Sequence, residues 1–335
     1  MIRIAVDAMG GDHGPETIID GALDAAREGG LSLSLVGPER RLQALLAGHP
    51  GSAALDLTIV PADDVIGMGE PPTAALRRRP GASIRVAVAE VAAGRAAALF
   101  SAGNTGATVM AAHAAFGMLE GVDRPALAAT VPTRRSAAVL LDVGANVDCR
   151  PRHLVQFAAM GTVYARLALG VERPRVGLLS IGEEETKGND LTREAHRLLK
   201  ASGLNFTGNI EARDVYAGGA DVIVCDGFTG NIALKVSEGL VEMIGDLLRD
   251  GVARLGADVA AQVGRQMLGL FHHRVDDSEY GGVPLLGVAG LAVIGHGRSS
   301  AKAVRQGILA AGRFASAGFI ARLQQEIVAS GVSRQ

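Results

Sequence analysis

The feature that most constrains this chain is a repeated pairing: a short apolar run ends in a polar, glycine-rich word, and a stretch of helical period follows. Apolar runs at 2–6, 33–36, 57–60, 97–100, 137–141, 176–181 and 222–225 predict strands. Helical periods at 15–28, 83–93, 105–118, 154–169 and 191–201 predict helices between them. Strand and helix in alternation specify an α/β protein with a largely parallel sheet. Pro15 stands where a first helical turn accepts proline. No linker rich in Pro, Ser or charge divides the 335 residues, so we expect one catalytic α/β unit over 1–335, with room for two lobes.

Glycine supplies 45 residues, about 13% of the chain against a usual level of about 7%. It clusters at the strand ends. Asp7-Ala8-Met9-Gly10-Gly11-Asp12 closes the first run, Ser101-Ala102-Gly103-Asn104-Thr105-Gly106 the fourth, Asp142-Val143-Gly144-Ala145-Asn146 the fifth, and Asp226-Gly227-Phe228-Thr229-Gly230-Asn231 the last. In an open α/β sheet the carboxyl ends of the strands line the ligand crevice. Small residues there let backbone N–H groups approach an oxyanion, and a helix N-terminus adds its dipole. Each word alone is also ordinary turn chemistry. Four of them, all carrying Asp or Asn, point to a phosphate or carbonyl site.

Other classes fit less well. Lys plus Arg is 33 and Asp plus Glu is 35, a net charge of −2, which argues against a nucleic-acid binder. Cys149 and Cys225 form neither a disulfide framework nor a metal spacing, and a reducing cytoplasmic setting fits. An Asp at position 7 comes too early for a secretory signal, and the longest apolar stretch, 283–295, is short of a membrane span. No GxGxxG follows a strand, and no GxxxxGK[ST] or GxSxG occurs. Ser299-Ser300-Ala301-Lys302 matches SxxK without its companion motifs and reads better as a helix cap.

Lys187 lies in a turn between the 176–181 strand and the next helix, beside three glutamates; a solvated loop and a catalytic ammonium both fit. His296 sits between two glycines after an apolar run, in reach of an anion or of backbone. Arg77-Arg78-Arg79 is either a solvated run or a docking patch for an acidic partner. Between 238 and 275 two amphipathic stripes, through Leu240, Met243, Leu247 and then Val259, Val263, Met267, predict a helical hairpin. Its apolar face suits a core, a dimer interface, or a tip that touches lipid between Arg249, Arg254, Arg265 and Arg274.

Together these words resemble the acyl-ACP:phosphate acyltransferase family, PlsX, of bacterial phospholipid synthesis. Val6-Asp7-Ala8-Met9-Gly10-Gly11-Asp12, Ser101 to Ala107 and Asp142 to Asn146 carry the likeness, with Ile181-Gly182-Glu183-Glu184-Glu185, Lys187-Gly188-Asn189, Asp226 to Asn231, Tyr280-Gly281-Gly282 and Pro284 to Val288. The match runs in order from residue 2 to about 305. It departs at Ser180, where the family often has Asn, and at Ala82-Ser83-Ile84, where it commonly has Ser-Ser-Met.

The resemblance implies transfer of a long-chain acyl group from the thioester of acyl carrier protein to inorganic phosphate, giving acyl phosphate. It implies a three-layer α/β/α sandwich related to phosphotransacetylase and isocitrate-dehydrogenase-like folds, with the hairpin protruding. It also implies a homodimer, peripheral association with the inner face of the cell membrane through the hairpin tip, and delivery of product to a glycerol-3-phosphate acyltransferase. Phosphate is itself the nucleophile, so no acyl-enzyme, metal or organic cofactor is implied. On this reading Lys187 and Asn231 act at the carbonyl and phosphate, with Asp226 and His296 orienting groups or delivering a proton. Gly10, Gly11, Asp12, Ser101, Asn104, Thr105, Asn146 and Thr229 would bind phosphate or the pantetheine end. The carrier is acidic, so Arg77, Arg78, Arg79, Arg249 and Arg265 are candidates for its docking face. A phosphotransacetylase acting on acyl-CoA and a non-catalytic membrane-associated scaffold remain the alternatives.

Overall fold

The protein was analysed as a computed structural model that describes residues 1–254, 264, 269 and 281–330. Its strands are β1 (Arg3–Asp7), β2 (Ser32–Gly37), β3 (Leu57–Pro61), β4 (Ala98–Ser101), β5 (Ala126–Pro132), β6 (Ala137–Leu141), β7 (Val176–Leu179), β8 (Phe206–Ile210), β9 (Val222–Val224), β10 (Val283–Leu286) and β11 (Ala292–Ile294). They form one sheet in the order β3-β2-β1-β4-β11-β10-β5-β6-β9-β7-β8. All seven predicted strands are present. β1, β2, β4, β7 and β9 are buried almost throughout, which is why they read as continuous apolar runs rather than alternating ones.

The direction of pairing decides where any site can lie. β3, β2, β1, β4 and β11 run parallel to one another. β10 is antiparallel to β11, β5 to β10, and β6 to β5. β6, β9, β7 and β8 then run parallel again, now opposite to the first group. The carboxyl ends of the two groups therefore stand on opposite rims of one sheet. We call the rim beyond β1, β4 and β11 the upper one and that beyond β6, β9 and β7 the lower one.

The helices are α1 (Gly14–Gly29), α2 (Glu39–Ala47), α3 (Pro72–Arg78), α4 (Ser83–Ala92), α5 (Thr105–Phe116), α6 (Pro151–Leu169), α7 (Asp190–Ala201), α8 (Gly227–Ala253), α9 (Ala301–Ser316) and α10 (Phe319–Ser330). They cover both faces. One apolar core joins α1, α6, α9 and α10 to side chains such as Val6, Leu33, Phe100 and Leu141. The other joins α4 and α5 to Ala5, Leu99, Leu140 and Ile223. Each core runs along both halves of the sheet, so the layers are α/β/α.

α8 begins at the lower rim, and about 11 residues later, some 17 Å along its axis, its Glu238 reaches His296 at the upper rim (Oε2–Nε2 3.9 Å). Its C-terminal half carries the first stripe of the hairpin predicted for 238–275; the second stripe, Val259 to Phe271, lies outside the described residues, as do Arg265 and Arg274. Ser300, not Ser299, caps α9 by accepting the Ala303 N–H at 3.3 Å, so the SxxK match is a helix start. No described helix is long and apolar enough to cross a membrane.

Candidate functional site

At the upper rim two glycine-rich loops touch through backbone. A Cβ on Gly10 would lie 2.5 Å from the Gly103 nitrogen, which only glycine tolerates. Behind them Asp7, 2% exposed, accepts the Ser101 hydroxyl at 2.9 Å and the Met9 N–H at 3.3 Å. Burial pushes its carboxyl above the ordinary range, against bonds from Ser83, Ser101 and Met9. Ser101 Oγ also accepts the Gly103 N–H at 3.1 Å, so the hydroxyl is turned inward and fully buried.

Asn104 is similarly engaged. Its amide donates to the carbonyls of Gly67, Met68 and Glu70, and its Oδ1 caps α5 by accepting the Ala107 N–H at 3.0 Å. Thr105 follows it, exposed, as the first residue of α5. Asp12 donates its N–H to the Gly297 carbonyl at 2.7 Å, and Gly11 passes close to the same oxygen. His296 is half exposed, and its Nδ1 accepts the Arg298 N–H at 3.2 Å.

The lower rim is built around Asp142, which is fully buried. Its Oδ1 accepts N–H bonds from Leu127, Gly144 and Ala145, and its Oδ2 accepts from the backbone and side-chain N–H of Asn146. The Asn146 amide also reaches the Pro125 carbonyl at 2.6 Å. The loop so folded is the seat of α8. Gly227 donates to the Asn146 carbonyl at 2.8 Å, and Asn231 Nδ2 donates to the Val143 carbonyl at 3.0 Å. A Cβ on Gly230 would lie 1.9 Å from the Asp142 carbonyl oxygen, so the helix enters at van der Waals contact. Asp226 caps it, taking the Thr229 N–H at 2.9 Å and the Thr229 hydroxyl at 2.8 Å.

Lys187 shares this rim, on the loop between β7 and α7. That loop is tied down by its glutamates. Glu185 pairs with Lys200 at 2.6 Å and lies 3.6 Å from His196. The Glu184 carbonyl accepts from Asn209, whose Oδ1 meets the buried His196 at 2.9 Å. Lys187 itself is exposed and has no ion pair among the described residues; its stem lies over Gly182. The Lys200 pairing engages one of the three glutamates of this loop. Nearby, Ser180 Oγ is buried without a partner among the described residues, beside Gly188.

Neither cysteine is set up as a thiolate. Burial, then Asp142, pushes the Cys149 thiol up to about 12, and burial raises Cys225 as well. Among the described residues no group of His, Cys, Asp and Glu is arranged to hold a metal.

The twelve residues singled out in the sequence therefore fall into two sets. Gly10, Gly11, Asp12, Ser101, Asn104, Thr105 and His296 stand at the upper rim; Asn146, Lys187, Asp226, Thr229 and Asn231 stand at the lower one. Sequence reasoning passed over Asp7 and Asp142, the buried carboxylates that hold each rim together. Both open words it had already marked, and an Asp directly after an apolar strand was the available signal.

Residues 2–322 match the family described as "Fatty acid synthesis protein". The chain is 49% identical over 327 residues to the phosphate acyltransferase of Acidobacterium capsulatum, covering 97% of both chains. It is 47% identical over 327 residues to that of Geotalea uraniireducens, covering 97% of this chain and 94% of the relative. Among solved structures, a phosphotransacetylase from Streptococcus pyogenes superposes with a TM-score of 0.63 at 19% identity over 94% of each chain. A branched-chain phosphotransacylase from Enterococcus faecalis V583 gives 0.55 at 17% identity, over 94% of this chain and 99% of that one. These two share the α/β fold with its large, mostly parallel sheet. The full-length identity to named enzymes goes further: this chain belongs to the PlsX family and is a phosphate acyltransferase.

Proposed function

We propose that the acyl donor is a long-chain thioester of acyl carrier protein, the acceptor is inorganic phosphate, and the product is acyl phosphate for phospholipid synthesis. A phosphate oxygen attacks the thioester carbonyl, the C–O bond forms, the C–S bond breaks, and the carrier thiol leaves. The enzyme must hold a polyanion against a carbonyl, a task of proximity and of donors placed in advance. The observation that carries this reading is the Lys187 ammonium, without an ion pair among the described residues, on the rim where the start of α8 presents Asn231. We place the transfer at that lower rim. Lys187 holds phosphate and the developing oxyanion, Asn231 donates to the carbonyl region, and Asp226 with Thr229 sets the helix turn that carries Asn231. At the upper rim Ser101 and Asn104 act as supports of the loops, since their side chains are engaged by protein.

The carrier is acidic and needs cations. Arg77 and Arg78 close α3 in the open, whereas Arg79 is held by Glu70 at 2.6 Å and by the Val65 carbonyl, and Arg249 pairs with Asp246. Arg77 and Arg78 are therefore the docking residues of that run. With palmitoyl carrier protein and phosphate, we expect phosphate-dependent release of carrier thiol and a hydroxamate on trapping with hydroxylamine. The rate at limiting carrier should fall steeply with added salt. Thiol release that ignores phosphate sinks the reading, and equal use of acyl-CoA favours the phosphotransacetylase alternative.

Among the described residues nothing covers the apolar face of α8. Phe228, Ile232, Val236, Leu240, Met243 and Leu247 recur every three or four residues and are 47–66% exposed. Stripes this long are seldom left to water. We assign it to a second copy of the chain. The membrane-facing tip, peripheral association and hand-over to a glycerol-3-phosphate acyltransferase belong to the same proposal and rest on the resemblance. Leu240→Glu with Met243→Glu should convert a dimer to a monomer in sedimentation velocity. A wild-type monomer, or an undisturbed dimer in the variant, removes the assignment.

A further inference from the structure

Beside the acyl-transfer rim lies a cleft of about 440 Å³ that the mechanism above does not use. It opens at the N-terminus of α6, and its walls include Arg124, Asp148, Cys149, Arg150, Arg152 and His153. Three arginines line it. Arg152 pairs with Asp123 at 2.7 Å, which leaves Arg124 and Arg150 without an ion pair among the described residues. Asp148 is the remaining acid, so Arg124 and Arg150 outnumber the unengaged negative charge, and the start of a 19-residue helix adds its positive end.

His153 supplies an independent sign of a ligand. It is 7% exposed, and its Nδ1 accepts the Arg150 N–H at 3.1 Å, which puts the ring proton on Nε2. Nε2 has no partner among the described residues and is not one of the fully enclosed orphan atoms, and His153 is part of the cleft wall. The ring is held nine-tenths buried, so an acceptor for this N–H can come only from what occupies the cleft. Burial first, then the arginines, holds the imidazole below its usual range, against the pull of Asp123. The ring is thus a neutral donor in a cationic pocket.

We infer that this cleft binds a phosphate-type anion, with Arg124, Arg150 and His153 Nε2 as its donors. Donors drawn from a loop, a helix start and a ring around one cleft suit a tetrahedral dianion better than a planar carboxylate. Two sources share this chemistry: free inorganic phosphate, and a phosphoester carried on a larger substrate. The floor of the cleft is continuous with the acyl-transfer rim. Cys149 Sγ lies 3.8 Å from the Asn146 carbonyl, the same oxygen that seats Gly227 of α8. Cys149 stands only five positions after Gly144, against which Asn231 packs, so the cleft is within about 18 Å of that contact. A phosphopantetheine arm threaded past the cleft would anchor its phosphate there; this second source rests on the carrier reading above.

The test therefore reads binding at His153, not turnover, and its failure leaves the acyltransferase reading standing. The His153 imidazole resonance is assigned by its loss in His153→Gln. Inorganic phosphate, 4′-phosphopantetheine and pantetheine are then titrated at constant chloride. A shift of that resonance with a raised His153 pKa is expected for a phosphate-bearing probe and not for pantetheine. Arg124→Ala/Arg150→Ala should weaken that response about tenfold or more. Tighter binding of 4′-phosphopantetheine than of phosphate assigns the phosphoester source; the reverse assigns free phosphate. No shift with either probe, or an equal response in the arginine variant, overturns the inference.

Discussion

Lys187→Ala should lower the turnover of acyl carrier protein with phosphate by about 10²–10³-fold while the fold stays intact. The size follows from removing one preorganised cationic donor from a developing oxyanion, which commonly costs about 3–4 kcal/mol. The fold should survive because the side chain is exposed, makes no ion pair among the described residues, and only rests its stem on Gly182. Surface changes of this kind move stability by about 0.5 kcal/mol at most. Its loop is held by other groups, Glu185 with Lys200 and Asn209 with the Glu184 carbonyl, so the backbone should keep its course.

The kinetic split then assigns the role. A fall in kcat with the KM for phosphate unchanged places Lys187 at the transition state; a rise in KM alone places it on bound phosphate. Asn231→Ala is a weaker probe, because that amide also ties the Val143 carbonyl and its loss loosens the loop. Near-normal turnover in a folded Lys187→Ala would remove the proposed mechanism, though not the family assignment, which rests on identity along the whole chain.

Of the seven legible strands, β1, β2, β4, β7 and β9 are buried almost throughout, and parallel strands covered on both faces must be apolar from end to end. β3, at the sheet edge and only partly buried, still shows as a short apolar run. β5, β8, β10 and β11 were not legible. β10 and β11 lie inside one apolar stretch, 283–295, whose period does not reveal that it folds back on itself as an antiparallel pair. β8 repeats the word Phe-Thr-Gly-Asn that also starts α8, at Phe206 and at Phe228; one copy is a strand and the other a first helical turn. Identical four-residue words take opposite structures because Asp226 caps the second and β7 pairs with the first. The site was legible as a set of words but not as a place. Nothing in the sequence says that β10 and β5 reverse the sheet between its two parallel halves, and that reversal parts Ser101 and His296 from Lys187 and Asn231.

The same reversal makes Asp142 a support on which the lower rim depends, and Asp142→Ala should be among the most damaging single changes in the chain. Its carboxylate accepts five N–H bonds between 2.7 and 3.2 Å in a fully buried position. Only an acceptor on both oxygens satisfies them all. Alanine leaves these donors without a partner, at about 1–3 kcal/mol for each one that water cannot reach. With partial hydration of the half-buried loop the loss should be on the order of 4–5 kcal/mol in urea unfolding. Asparagine keeps one acceptor oxygen but turns an amide N–H₂ on the Asn146 donors, so Asp142→Asn should fall between the two. Activity should drop further than the folded fraction does. The loop presents the Val143 carbonyl to Asn231 and the Asn146 carbonyl to Gly227, so a slack loop misplaces the start of α8 even in molecules that remain folded. An Asp142→Ala enzyme within about 1 kcal/mol of wild type, with normal turnover, would show that the rim is held by other means. The ordering wild type, Asn, Ala in both stability and rate would tie the buried carboxylate to the geometry of the transfer site.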